Sequence, residues 1–136
     1  MADLKGHATA MIEAFNNSDF DTYMNLAGDA TYHEPATGRS MSGDDLRAGL
    51  IGWRTAFPDV TGTVTSTIES GDRVVQEVTW KGTHTGPLAT PTGEIPPTGK
   101  SQTTLAVIVS DYEGERLKDS RHYFDLMSLM TQLGVV

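Results

Sequence analysis

The sequence predicts an α+β domain in which N-terminal helices cover one face of a curved, mainly antiparallel sheet, a cone-shaped layout closed by a short C-terminal helix. Three observations predict it. The first sixty residues hold three stretches with helical apolar spacing and one short β-prone stretch. From Val60 the chain changes to Thr- and Val-rich runs with two-residue alternation. No linker or internal repeat divides residues 1–136, a length that suits a single domain. A sheet with one apolar face buries it against the helices that precede it.

The first helix shows Ala8, Met11, Ile12 and Phe15 on one face, and Asn16-Asn17-Ser18 ends it. Ser18, with Asp21 three residues on, is the expected start of a second helix carrying Phe20, Tyr23, Met24 and Leu26. Gly28-Asp29 stops that helix, and Ala30–Glu34 reads as a short strand ended by Pro35. Ser42 is the expected N-cap of a third helix lined by Leu46, Leu50, Ile51, Trp53 and Phe57. Phe57-Pro58-Asp59 closes it, since a residue before proline avoids helical geometry. Val60–Glu69 and Arg73–His84 form a hairpin around Ser70-Gly71-Asp72. In the second strand Val74, Gln76, Val78, Trp80 and His84 share a face. Residues 85–100 contain four prolines and read as a long connection of the kind that serves as a lid or binding loop. Gln102–Ser110 and Arg116–Asp125 form a second hairpin around Glu113-Gly114. Leu126, Met127, Leu129, Met130 and Leu133 form the last helical stripe, with Gly134 as its stop.

Composition excludes several classes of function. Net charge is −8, so the basic footprint that binds nucleic acid or an anionic membrane surface is missing. With no cysteine there is no disulfide, thiolate nucleophile or Cys-type zinc site. The four histidines lack zinc spacing, so no metal site is expected. No apolar run approaches a membrane span and no apolar leader follows Met1, so a cytoplasmic protein is expected.

Several short motifs, in order, carry a resemblance. They are His33-Glu34-Pro35, Phe57-Pro58-Asp59, Trp80–Gly86, Pro96–Lys100, Asp119–Asp125 and Gln132-Leu133-Gly134. Over nearly its whole length the chain resembles the nuclear-transport-factor-2-like and ketosteroid-isomerase-like superfamily, and within it the SnoaL-like polyketide cyclases (ester cyclases). The resemblance implies an intramolecular aldol ring closure of an aromatic polyketide ester. It implies no cofactor, a small aromatic partner molecule, a homodimer paired through the outer sheet face around Val75 and Thr79, and a catalytic Asp on the last strand.

A base that removes a proton beside a carbonyl needs an apolar wall, and the enolate needs hydrogen-bond donors. If Leu117 faces the core, period two puts Asp119, Arg121, Tyr123 and Asp125 on the cavity side and His122 outside; a β-bulge would reverse this. Asp119 and Asp125 are the candidate acid/base groups. An Asp119–Arg121 ion pair and an Asp125 helix cap are the competing roles. His33 is a candidate proton partner, and His84 either a pocket donor or an anchor for the long loop. Tyr32, Trp53, Phe57, Trp80 and Tyr123 are candidate walls for a flat ligand. Gln76 is expected to hold Arg121 or a catalytic Asp across the sheet. His7 is expected at the surface. The alternative functions are an epoxide-hydrolase-like enzyme built on Asp119, Arg121 and Asp125, and a non-catalytic small-ligand or dimerisation module.

Overall fold

The computed structural model describes residues 3–136. Helix α1 (Leu4–Asn16) starts on the Asp3 carboxylate, which accepts from the Gly6 N–H. Helix α2 (Phe20–Ala27) is capped by Asp19, not Ser18. Ser18 sits in the turn at φ 56°, while the Asp19 carboxylate accepts from both the N–H and the hydroxyl of Thr22. Strand β1 (Thr31–Glu34) pairs antiparallel with β2 (Arg39–Met41), a strand not expected from the sequence. Helix α3 (Gly43–Ala56) follows Ser42, whose side chain makes no capping bond.

Strands β3 (Thr61–Ser70), β4 (Arg73–Thr83), β7 (Ser101–Glu113) and β8 (Arg116–Phe124) form the two expected hairpins. The six-stranded sheet runs β2-β1-β8-β7-β4-β3, antiparallel except where β1 joins β8. The 85–100 connection is not featureless, for it folds into a second small sheet of β5 (Leu88–Thr90) and β6 (Gly93–Ile95). Gly86 permits its approach to α3: the Gly86 N–H bonds Ala56 O, and a Cβ there would lie 1.9 Å from Thr55 O. Helix α4 (Leu126–Leu133) closes the chain.

The core lies between the helices and the concave face of the sheet, where Phe57, Leu46, Leu117, Leu133, Val74 and Val78 are fully buried. Two register breaks shape that face. One lies between Val64 and Ser66 of β3, and one opposite Asp111/Tyr112, where β8 takes an extra residue at Lys118. Bulges sharpen local twist and re-aim side chains. Beyond Phe124 strand β8 no longer covers β7. Gln132 of α4 substitutes for it, since its Oε1 accepts from the Thr103 N–H and its Nε2 donates to Thr103 O, both at 2.8 Å.

Candidate functional site

The bulge at Lys118 decides which β8 residues reach the cavity. Leu117 faces the core as expected, but the extra residue reverses everything after it, so Ser120, His122 and Phe124 point inward. Asp119, Arg121 and Tyr123 therefore lie on the outer face, which corrects the strict two-residue reading. Asp119 accepts from His33 Nε2 at 2.7 Å and from Arg121. Arg121 also reaches Asp111, which is held in turn by Arg73. His33 is on the same outer face, with Ser40 on its Nδ1. Tyr123 is exposed. Asp125 caps α4 by accepting from the Ser128 N–H at 3.0 Å. Asp119, Arg121 and Asp125 thus do not converge on the cavity, and neither does His33.

Two other expectations are also corrected. Gln76 is buried, but its amide donates to Thr9 and Thr67 and so holds α1 against the sheet, away from Arg121 and both Asp residues. His7 is half-buried and shares a hydrogen bond with Tyr112 at 2.8 Å. His84 is fully buried against Phe57, and its Nδ1 accepts from the Thr98 N–H, which anchors the long connection. Burial holds His84 below the usual imidazole range.

The cavity is lined on one side by Ile12, Phe15, Leu50, Val60 and Leu129, and on the other by aromatic and polar groups. Tyr32, Trp53, Phe57 and Trp80 of the expected walls all line it. His122, Gln102 and Thr104 join them. The cavity holds about 90 Å³. A cavity of roughly 150 Å³ is what takes up a benzene, so a polycyclic ligand requires this one to widen. Gly62 makes room for the Trp80 indole, which crosses β3 so closely that a Cβ at Gly62 would lie 2.5 Å from the ring.

The polar groups form one chain. Trp80 Nε1 donates to His122 Nε2 at 3.1 Å. An indole N–H only donates, so Nε2 carries the lone pair and the neutral ring holds its proton on Nδ1. That proton goes to the Tyr32 hydroxyl 2.7 Å away, and Tyr32 donates onward to Glu34 Oε2 at 3.2 Å. Glu34 is fully buried and also accepts from Trp53 Nε1, the Thr37 hydroxyl and Arg39 Nη2, the last at 2.7 Å. Burial pushes the Glu34 carboxyl up, but its hydrogen bonds from Thr37 and Arg39 outweigh this and hold it below its ordinary value. Burial, reinforced by the Glu34 charge, pushes the Tyr32 phenol well up, so it remains a neutral donor. Burial lowers His122 to about 4, with Glu34 acting in the opposite direction.

The residues that sequence reasoning missed as functional are His122, placed outside, and Glu34, which stood only as part of a motif. The signal for Glu34 was in view: Tyr32 and Glu34 alternate with His33 on a strand whose inner face must be buried.

The fold and the comparisons agree. The family model of SnoaL-like polyketide cyclases matches residues 5–133. The chain belongs to the SnoaL-like polyketide cyclase family. IdmH of Streptomyces antibioticus, a proposed polyketide cyclase, superposes with a TM-score of 0.82 at 26% identity, covering 98% of this chain and 99% of that one. AclR of Streptomyces galilaeus, a proposed hydroxylase, also gives 0.82, at 21% identity and 98% and 86% coverage. A Catenulispora acidiphila protein with the ketosteroid-isomerase-like fold gives 0.79 at 21% identity, covering 96% of this chain and 93% of that one. No curated protein matches the chain in sequence. Among the described residues of this SnoaL-like chain, no helix is long and apolar enough to cross a membrane, and no three carboxylate or imidazole groups gather as a metal site.

Proposed function

We propose that the protein is a cofactor-independent general acid/base enzyme acting on a C–H acid, an aldol-type cyclase of an aromatic polyketide ester. One observation carries this reading: the chain from Trp80 through His122 and Tyr32 to the buried Glu34, set in the wall of an apolar cavity. His122 is the base in place of a β8 carboxylate. When a substrate carbonyl takes the Trp80 N–H, the His122 Nε2 lone pair is freed. The α C–H bond breaks, its proton goes to Nε2, and its electron pair moves to the carbonyl oxygen, which Trp80 stabilises. The imidazolium is held by Tyr32 with Glu34 behind it. The enolate carbon then attacks the acceptor ketone, forming the ring C–C bond, and the alkoxide recovers the proton from Nε2. Tyr32, Trp53, Phe57 and Trp80 supply the aromatic walls. A base of pKa about 4 is weak for this task, yet the carboxylate base of ketosteroid isomerase, at about 4.6, performs the same step when donors meet the oxyanion.

Deuterium uptake at the α-carbon tests this, read by mass spectrometry above the buffer background with aryl β-keto esters and cyclic ketones. His122→Gln is expected to lose about 10²–10⁴-fold. Asp119→Asn and Asp125→Asn should stay within about twofold, because a group outside the cavity contributes no proton transfer. Exchange undiminished in His122→Gln would overturn the assignment. A second reading, binding without turnover, draws on the engagement of both Asp119 and Asp125 in ion pair and cap. It predicts ligands that bind the wild type and never exchange.

The outer sheet face is proposed as a homodimer contact. Ile68, Leu105 and Tyr123 are exposed there, on strands whose paired neighbours include Val75 and Val107. Sedimentation equilibrium should find a dimer that Leu105→Glu converts to monomer; a monomeric wild type would refute it.

A further inference from the structure

The cavity has a second polar place that the His122 chain does not use. Gln102 and Thr104 stand on β7 with their side chains on the inner face, each only 5% exposed, and both line the cavity. The Thr104 hydroxyl donates to Gln102 Oε1. In this arrangement Oε1 is turned to Thr104 and both Nε2 hydrogens remain available. Among the described residues, the one hydrogen bond of the Gln102 amide is the one its Oε1 accepts, and Nε2 is left open to the cavity rather than sealed in the core. Buried amides are ordinarily satisfied, and one facing an apolar cavity with two spare donors is suited to meet an acceptor on a ligand. The backbone between the two side chains is held rigid, since Gln132 clamps both polar groups of Thr103.

Position along the strand supplies the second half of the argument. His122 is opposite Ile108, and Trp80 is opposite Thr104. Four to six residues of β7 thus separate the level of His122 from Thr104 and Gln102, roughly 13–20 Å at 3.3 Å per residue, less the reach of the side chains. The two polar places are offset along β7, and the Trp80 indole, rooted across from Thr104, reaches from one toward the other, where its Nε1 meets His122.

We propose that Gln102, oriented by Thr104, is the specificity residue for a bare oxygen acceptor (a ketone, ester or quinone carbonyl) at the end of the aromatic ligand remote from its enolisable carbon. This deepens the cyclase reading and rests on it for the ligand class. The required substrate is an aryl system with oxygens at both ends, and a ligand with an apolar far end leaves two buried donors unpaired.

The test compares two probes, methyl 3-(4-acetylphenyl)-3-oxopropanoate and its 4-isopropenyl counterpart, which match in shape but differ in the acceptor. Wild-type protein should bind the acetyl probe about tenfold more tightly by calorimetry. Gln102→Leu should erase that preference, and Thr104→Val, which releases the amide from its orientation, should weaken it. The Gln102 side-chain amide resonance should shift with the acetyl probe and not with the isopropenyl one, a readout that needs no variant. Equal binding of the two probes by the wild type, an unchanged preference in a folded Gln102→Leu, or no binding of either probe overturns the proposal. Preference without deuterium exchange would instead sink the catalytic reading and leave this one standing.

Discussion

Glu34→Ala should lower the free energy of unfolding by about 3–5 kcal/mol, the usual cost of removing one partner from a buried charge pair. Glu34 has no exposed surface, and its two oxygens accept from Tyr32, Thr37, Arg39 and Trp53. Alanine leaves the Tyr32 and Trp53 donors facing a void, and each unsatisfied buried donor costs about 1–3 kcal/mol. Arg39 limits the damage, because its side chain is 37% exposed and can turn to water. Arg39→Ala alone isolates the other half, since it leaves an uncompensated carboxylate in the core. The pH dependence has a definite sign. Glu34 is held below its unfolded value, so its contribution is present above the ordinary carboxylate range and is lost as pH falls through the lower folded value. Urea unfolding at neutral pH checks the magnitude; a loss under about 1 kcal/mol would mean that the four donors find water instead.

The order and type of the long elements were legible in the sequence because each rests on local pattern. Ala8, Met11, Ile12 and Phe15 make a helical stripe whatever surrounds them, and Val74 to Trp80 alternate across a strand. The ends were less legible. Asp19 supplanted Ser18 as a cap because a carboxylate, with two oxygens one bond further out than a serine hydroxyl, could satisfy both Thr22 groups. Strands β2 and β5–β6 are three residues each, too short to show an alternation, although each pairs with its neighbour in sequence. The site was legible in its walls and illegible in its centre. Tyr32, Trp53, Phe57 and Trp80 are large aromatic groups on elements whose buried face was already known. The facing of β8 depended on one inserted residue at Lys118, and a one-residue slip moves every later side chain to the opposite face. That slip exchanges His122 for Asp119. The same carboxylates that looked available are consumed outside, Asp119 by His33 and Arg121, Asp125 by the first turn of α4.

Acid should destabilise the protein through His122 before any carboxylate in the core is protonated. In the unfolded chain an imidazole titrates near 6.5, and in the fold His122 titrates at about 4. As pH falls between these values the unfolded state binds the proton and the folded state does not, so stability is lost over that window and levels off below it. A gap of this size corresponds to about 2–3 kcal/mol by pH 4.5. The geometry gives the cause independently. Protonating Nε2 would set an N–H against the Trp80 N–H, both donors at 3.1 Å, with no acceptor between them. The other charges near the ring are Glu34, which favours the imidazolium through Tyr32, and Arg39, which is spent on Glu34. Glu34→Gln should therefore lower the folded pKa of His122 further and widen the acid window. His122→Gln keeps a hydrogen-bonding side chain with no titration, so its stability should fall by about 2–3 kcal/mol less than wild type between pH 7 and pH 4.5. Urea unfolding at the two pH values measures the difference, and parallel losses in both proteins would place the proton elsewhere. The same pKa bears on turnover. A base that stays unprotonated down to about 4 gives an exchange rate that is flat from pH 5 to pH 8, whereas an ordinary surface histidine would give a rise centred near 6.5.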